Sequence, residues 1–156
     1  MSNATDIELR DLYRELILDH ARSPRHFGRL EHATHEASGI NPLCGDKLRL
    51  YLQVNAEDRI QDTSFEGSGC AISVASASLL TDTIIGQPVD KAEAWFATIT
   101  RRLTEGEPAE FDDANLEKLK ALDGVREFPS RVKCATLAWH ALHSALNRRD
   151  EPATTE

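Results

Sequence analysis

The stretch Asn41-Pro42-Leu43-Cys44-Gly45-Asp46 constrains the fold most, because it bends the chain sharply and then delivers it into a strand. Pro42 fixes one φ angle and Gly45 frees another, so the Cys44 thiol and the Asp46 carboxylate can converge on one point that could hold a metal ion. Beyond the loop, Leu48, Leu50, Leu52 and Val54 alternate with Lys47, Arg49, Tyr51 and Gln53, the period of a half-buried strand. Asn55-Ala56-Glu57-Asp58 reads as a hairpin turn and 59–66 as a weaker returning strand. An antiparallel return carries Gly67-Ser68-Gly69-Cys70 back to Asp46, which makes Cys44 and Cys70 expected neighbours.

The remaining elements read as helices. Thr5 and Glu8 form a capping box ahead of Leu9, Leu12, Tyr13, Leu16 and Ile17, an amphipathic run that Ser23-Pro24 stops. Residues 25–40 carry little periodicity and read as loop, with His26, His32 and His35 solvated rather than ligating. The Ala- and Ser-rich span 70–85 predicts a closely packing helix with Cys70 at its N-terminus, closed by Gly86-Gln87-Pro88. Asp90 and Glu93 open a third helix with Trp95, Phe96, Ile99 and Leu103 on one face. The acidic span 105–113 reads as a solvated loop, and Leu116, Leu119 and Leu122 as a short helix ending at Gly124. Pro129-Ser130 opens the last helix, with Cys134 in its first turn and His140 and His143 as packing or surface residues. Residues 1–147 are expected to form one domain, and 148–156 a polar, disordered tail.

A chain of 156 residues suffices for one domain with its own core. Three cysteines cannot complete a disulfide framework, and the polar N-terminus lacks a secretory apolar region, so a cytoplasmic location is expected. No apolar run nears the ~18 residues of a spanning helix. A net charge of −8 opposes a polyanionic partner, which excludes membranes and nucleic acids as expected partners. Cysteines without CxxC spacing also read as buried small hydrophobes. Against that stand their positions: Cys70 and Cys134 at predicted helix N-termini, where the dipole favours thiolates, and Cys44 beside Asp46. Zinc accepts three thiolates and a carboxylate at about 2.0 to 2.3 Å, so Cys44, Asp46, Cys70 and Cys134 could close one tetrahedral site. Arg131 and Lys133 could offset its excess negative charge, or face solvent as ordinary cations.

Three segments in order, Asn41-Pro42-Leu43-Cys44-Gly45-Asp46, Gly67-Ser68-Gly69-Cys70-Ala71-Ile72-Ser73 and Arg131-Val132-Lys133-Cys134-Ala135-Thr136-Leu137-Ala138-Trp139, resemble the IscU/SufU (NifU N-terminal-like) family of iron-sulfur cluster assembly proteins. The SufU branch is the nearer match, because scaffold-type IscU proteins carry a histidine before the third cysteine and a Leu-Pro-Pro-Val-Lys motif. Here Lys133 follows Phe128-Pro129-Ser130-Arg131-Val132. The long Cys70 to Cys134 span accommodates the insertion typical of SufU-like chains, expected within 100–122.

The resemblance implies an α+β fold, a three-stranded antiparallel sheet packed with about five helices, and so a strand before Asn41 that the periodicity does not find. It also implies a zinc-dependent sulfurtransferase that accepts persulfide sulfur from a SufS-type cysteine desulfurase and serves downstream Fe-S assembly proteins. By motif, zinc would be held by Cys44, Asp46, Cys70 and Cys134. Cys44 would be the acceptor, freed when a partner's histidine replaces it, with Arg131 supporting the exchange. Two alternatives use the same residues: a scaffold assembling a nascent [2Fe-2S] cluster or holding iron, and a zinc-stabilised interaction domain without chemistry.

Overall fold

The alternating run after the cysteine loop forms the middle strand of a sheet, and helices cover the face that carries its leucines. The computed structural model describes residues 4–105, 111, 113–148 and 153–154, with side chains from Arg10 onward. In order come α1 (Ala4–Arg22), β1 (His35–Asn41), β2 (Asp46–Val54), β3 (Ile60–Ser68), α2 (Ala71–Ile84) and α3 (Val89–Glu105). A 3-10 helix (Ala114–Glu127), α4 (Pro129–Leu146) and β4 (Ala153–Thr154) follow. The fold is α+β, with five helices and four strands among the described residues. The side chains of the capping box at Thr5 and Glu8, and most of the acidic loop and of the polar tail, lie outside the described residues.

The sheet order is β3-β2-β1-β4. The three expected antiparallel strands are present: β1 pairs β2 from His35↔Leu52 to Asn41↔Asp46, and β2 pairs β3 through Lys47↔Ser68 and Leu50↔Phe65. The fourth strand was not expected, and it runs parallel to β1 through Gly39↔Ala153 and Ile40↔Thr154. Asn55 builds the β2–β3 turn, its Oδ1 accepting from the N–H groups of Glu57 and Arg59 at 3.0 Å each.

β1 replaces the last part of the loop read over 25–40, from His35 onward, and 25–34 remain without a helix or strand. Its inward residues are Ala37, Gly39 and Asn41, small or polar, so the strand has no apolar alternation to detect. They are small because α4 lies directly across them: a Cβ on Gly39 would stand 3.2 Å from the Leu137 side chain. The helix at 114–127 is longer than expected and of the 3-10 kind. Leu116, Leu119, Leu122 and Val125 recur every third residue, the period of a 3-10 helix, in which i and i+3 side chains lie on one line.

Leu48, Leu50, Leu52, Phe65, Leu79, Leu80, Leu137 and Trp139 belong to one buried core. Ala and Ser let α2 approach α4 closely, and Ser76 Oγ donates to the Ala135 carbonyl at 2.5 Å. His20 fastens α1 to α2: it is 3% exposed, its Nδ1 lies 2.7 Å from Ser78 Oγ, and that oxygen accepts the Arg25 N–H at 2.8 Å.

Burial, with a smaller push from Arg25, holds His20 below the ordinary histidine value of 6.5. A lowered folded pKa means that stability is present above pH 6.5 and lost as pH falls. The urea midpoint is expected to drop between about pH 7 and about pH 5, with His35 and His140, also held low by burial, adding to the slope. His20→Asn should flatten part of that dependence. The same pH slope in both proteins would refute the assignment.

Candidate metal centre

The β1–β2 ladder ends at the Asn41↔Asp46 pair, which leaves Pro42, Leu43, Cys44 and Gly45 as the connecting loop. The Asn41 carbonyl accepts from the N–H groups of Cys44 at 3.2 Å and Gly45 at 2.9 Å, and Gly45 closes the turn at φ +73°. Cys44 is thereby held exposed at the loop, while Asp46, the first residue of β2, is 1% exposed. As expected, the returning strand brings Cys70 to this end. The Cys70 N–H donates to Asp46 Oδ1 at 2.9 Å, and its Sγ lies 3.9 Å from Asp46 Oδ2.

Cys70 caps α2, its sulfur accepting the Ser73 N–H at 3.4 Å. Cys134 departs from the expectation, because α4 begins at Pro129 and so places it in the second turn rather than the first. It is 4% exposed, its Sγ lies 3.8 Å from Cys44 Sγ, and Asn41 Nδ2 approaches it at 3.9 Å. The sulfur next to Cys44 is therefore that of Cys134, and Cys70 joins the group through Asp46.

The donor atoms of Cys44, Asp46 and Cys134 all lie within 4.8 Å of one another, a group that does not include Cys70. Two thiolates at about 2.3 Å from a tetrahedral zinc stand about 3.8 Å apart, which is the Cys44 to Cys134 separation. Burial pushes the Cys134 thiol far up from its ordinary range, and the neighbouring Asp46 and Cys70 push it further. Helix-dipole stabilisation of a Cys134 thiolate is thus outweighed, and a divalent cation would reverse the balance. Asn41 adds a buried Oδ1 that has no hydrogen-bond partner among the described residues. The donor set fits a zinc ion.

Arg131, Ser130, Ala71 and Ile72 join the three cysteines around an open cleft of about 350 Å³. The Arg131 guanidinium lies 4.5 Å over the Phe128 ring. Lys133 is not among the residues lining this cleft. His140 and His143 pack on Phe96, at 5.3 and 4.6 Å between ring centres, and His143 Nδ1 lies 3.0 Å from Glu93 Oε1. The sequence reading gave no role to Asn41 or Gly69. Gly69 is spatially required, since a Cβ there would meet Asp46 Oδ1 at 2.6 Å, and its place directly before Cys70 is the signal that could have revealed it.

The chain matches the family model described as NifU-like N terminal domain over residues 12–148. It is 39% identical over 143 residues to the zinc-dependent sulfurtransferase SufU of Bacillus subtilis (strain 168), covering 91% of this chain and 94% of that protein. It is 40% identical over 144 residues to the iron-sulfur cluster assembly scaffold protein IscU of Streptococcus pyogenes serotype M1, covering 90% of this chain and 86% of that protein. The crystal structure of a nitrogen-fixing NifU-like protein (N-terminal) from Brucella abortus superposes with a TM-score of 0.80 at 26% identity, covering 93% of this chain and 99% of that one. The chain belongs to the NifU-like N-terminal domain family, the IscU/SufU group of iron-sulfur cluster assembly proteins. Relatives of equal similarity carry the sulfurtransferase and the scaffold names, so the names do not choose between the two activities.

Gly69→Ala should push the Asp46 carboxylate out of place, lowering stability by about 1–3 kcal/mol and zinc retention with it. Gly124→Ala, where a Cβ meets nothing within 4 Å, is the control. Thermal melting and zinc quantification on both variants check this, and equal behaviour would refute the crowding argument.

Proposed function

We propose that the protein is a zinc-dependent sulfur acceptor in iron-sulfur cluster biogenesis, taking persulfide sulfur from a SufS-type cysteine desulfurase and passing it to downstream assembly proteins. One observation carries this reading: two thiols are exposed, Cys44 at a hairpin loop and Cys70 at the start of α2, and Cys70 is held there by Asp46 and Ser73 while Asp46 and Cys134 are buried. Cys44 can therefore meet a partner while the hydrogen-bonded Cys70 and the buried Cys134 stay in place. Cys44, Asp46, Cys70 and Cys134 are the proposed ligands. Zinc bound there would supply folding energy and the positive charge that keeps the thiols deprotonated at neutral pH.

In the proposed step, the Cys44 thiolate attacks the outer sulfur of the donor persulfide. The donor's S–S bond breaks, its cysteine leaves as a thiolate, and Cys44 carries the new S–S bond. Arg131, on the wall of the cleft, offers a cation to the incoming persulfide and the departing thiolate. Lys133, where scaffold-type relatives carry histidine, supports the transfer reading at the level of sequence. A cytoplasmic location agrees with three cysteines that remain free, as does the lack, among the described residues, of a helix long and apolar enough to cross a membrane. The scaffold reading, a [2Fe-2S] cluster or iron on the same four residues, draws on the IscU-named relatives.

Cys44→Ser is expected to keep the fold and most of the zinc yet form no persulfide when incubated with a cysteine desulfurase and cysteine. Mass spectrometry under anaerobic conditions, with zinc quantified in parallel, checks both. Cys70→Ser and Cys134→Ser should instead lose zinc affinity and melting temperature together. Persulfide on Cys70 or Cys134 of the Cys44→Ser protein would overturn the acceptor assignment. Stoichiometric iron and sulfide in the purified wild-type protein would favour the scaffold.

A further inference from the structure

A wider cleft lies between α1 and the 3-10 helix, with a volume of about 560 Å³. Arg10, Tyr13 and Arg14 line it from α1, and Lys120 and Arg126 from the 3-10 helix. Two carboxylates share the wall, Asp123 and Glu127. Asp123 is already held by Arg102, whose Nε and Nη2 donate to it at 2.8 and 2.7 Å, so its charge is taken. Lys120 pairs with Glu117 at 2.9 Å. Arg10, Arg14 and Arg126 have no ion pair or hydrogen bond from their side chains to any described residue.

Among the described residues Arg22, Arg29 and Arg131 also lack an ion pair, so what sets Arg10, Arg14 and Arg126 apart is that one cleft gathers them. Acidic residues outnumber basic ones, 26 to 18, and Arg25, Arg49 and Arg102 each have a carboxylate partner within 3 Å. Arg10, Arg14 and Arg126 outnumber the one wall carboxylate that Arg102 does not hold, Glu127, so the concave surface carries net positive charge and attracts an anion. Planar guanidinium forks match phosphate oxygens in pairs, and Tyr13 adds an aromatic face and a hydroxyl donor. The volume falls in the range of about 300–1,000 Å³ usual for small-molecule sites. The overall charge of −8 repels an extended polyanion but not a small one, because screening confines the field to about 8–10 Å.

We propose that this cleft binds a small phosphorylated anion of the diphosphate or nucleoside-triphosphate class. Bound there, it would bridge α1 to the 3-10 helix that leads through Phe128 into α4, and so would stabilise the fold by mass action.

The test uses the full, zinc-loaded chain, titrated with magnesium-free ATP and with inorganic pyrophosphate by calorimetry, with melting followed in parallel. Arg14→Gln/Arg126→Gln is the partner sample. Both ligands also chelate zinc, but chelation acts equally on the two proteins, so the difference between them reports the cleft. Saturable binding to the wild-type chain, weaker by at least about tenfold in the double variant, is the expected result when the ligand-free melting temperatures agree. Equal binding by both proteins, or no saturable binding at millimolar ligand, would overturn the proposal. So would saturation by a glutamate-rich peptide alone, which would make the cleft a docking site for a protein.

Discussion

The Asp46 carboxylate is the interaction on which the rest depends. It is almost fully buried, it opens β2 opposite Asn41, and it accepts the N–H of the residue that caps α2. A carboxylate removed from water is costly unless donors or cations replace the lost hydration. The Cys70 N–H, at the positive end of α2, supplies part of the replacement, and the side-chain group that surrounds Asp46 invites a cation to supply the remainder. Cys44 stands two residues before this carboxylate and Cys70 is bonded to it. Fixing Asp46 therefore fixes Cys70 and the strand end from which the Cys44 loop springs.

The third thiol needs a different device. Cys134 sits on α4, and it reaches Cys44 only if that helix lies close against β1. Ala37 and Gly39 on the strand, with Ala135 and Ala138 on the helix, keep the side chains between them small, and the gap at Gly39 is already filled by Leu137. The approach that assembles the site also removes large apolar residues from β1. For that reason the strand was invisible to periodicity, although β2, which presents leucines to the same core, was plain.

Legibility elsewhere followed the range of the interaction. The cysteine loop, the β2–β3 hairpin and the return of Cys70 to Asp46 are local, and all were readable from turn residues and alternation. The meeting of residue 134 with residue 44 depends on helix packing, so only the ordered motifs pointed to it. The 3-10 helix shows a readable signal given too little weight: leucines spaced by three throughout imply three residues per turn, not 3.6. For Cys134, a sequence argument about helix dipoles gave way to burial, which acts more strongly once the thiol sits a turn inside α4. β4 gave no sequence signal, since two residues of a polar tail carry no period.

The two ends of the thiol pair differ in freedom, and that difference bears on the proposed chemistry. The loop around Cys44 is closed by its own backbone bonds to the Asn41 carbonyl, so its side chain can turn away from the group at the cost of a rotamer change. Cys134 has no such latitude. It is wedged among buried neighbours on a helix whose other residues, Leu137, Ala138 and Trp139, fill the core, and moving it would mean repacking α4. A site whose other donors are buried, as Asp46 and Cys134 are, or hydrogen-bonded, as the exposed Cys70 is, keeps its shape when Cys44 leaves. That asymmetry is what sulfur exchange at an exposed cysteine requires, and four equally buried donors would lack it.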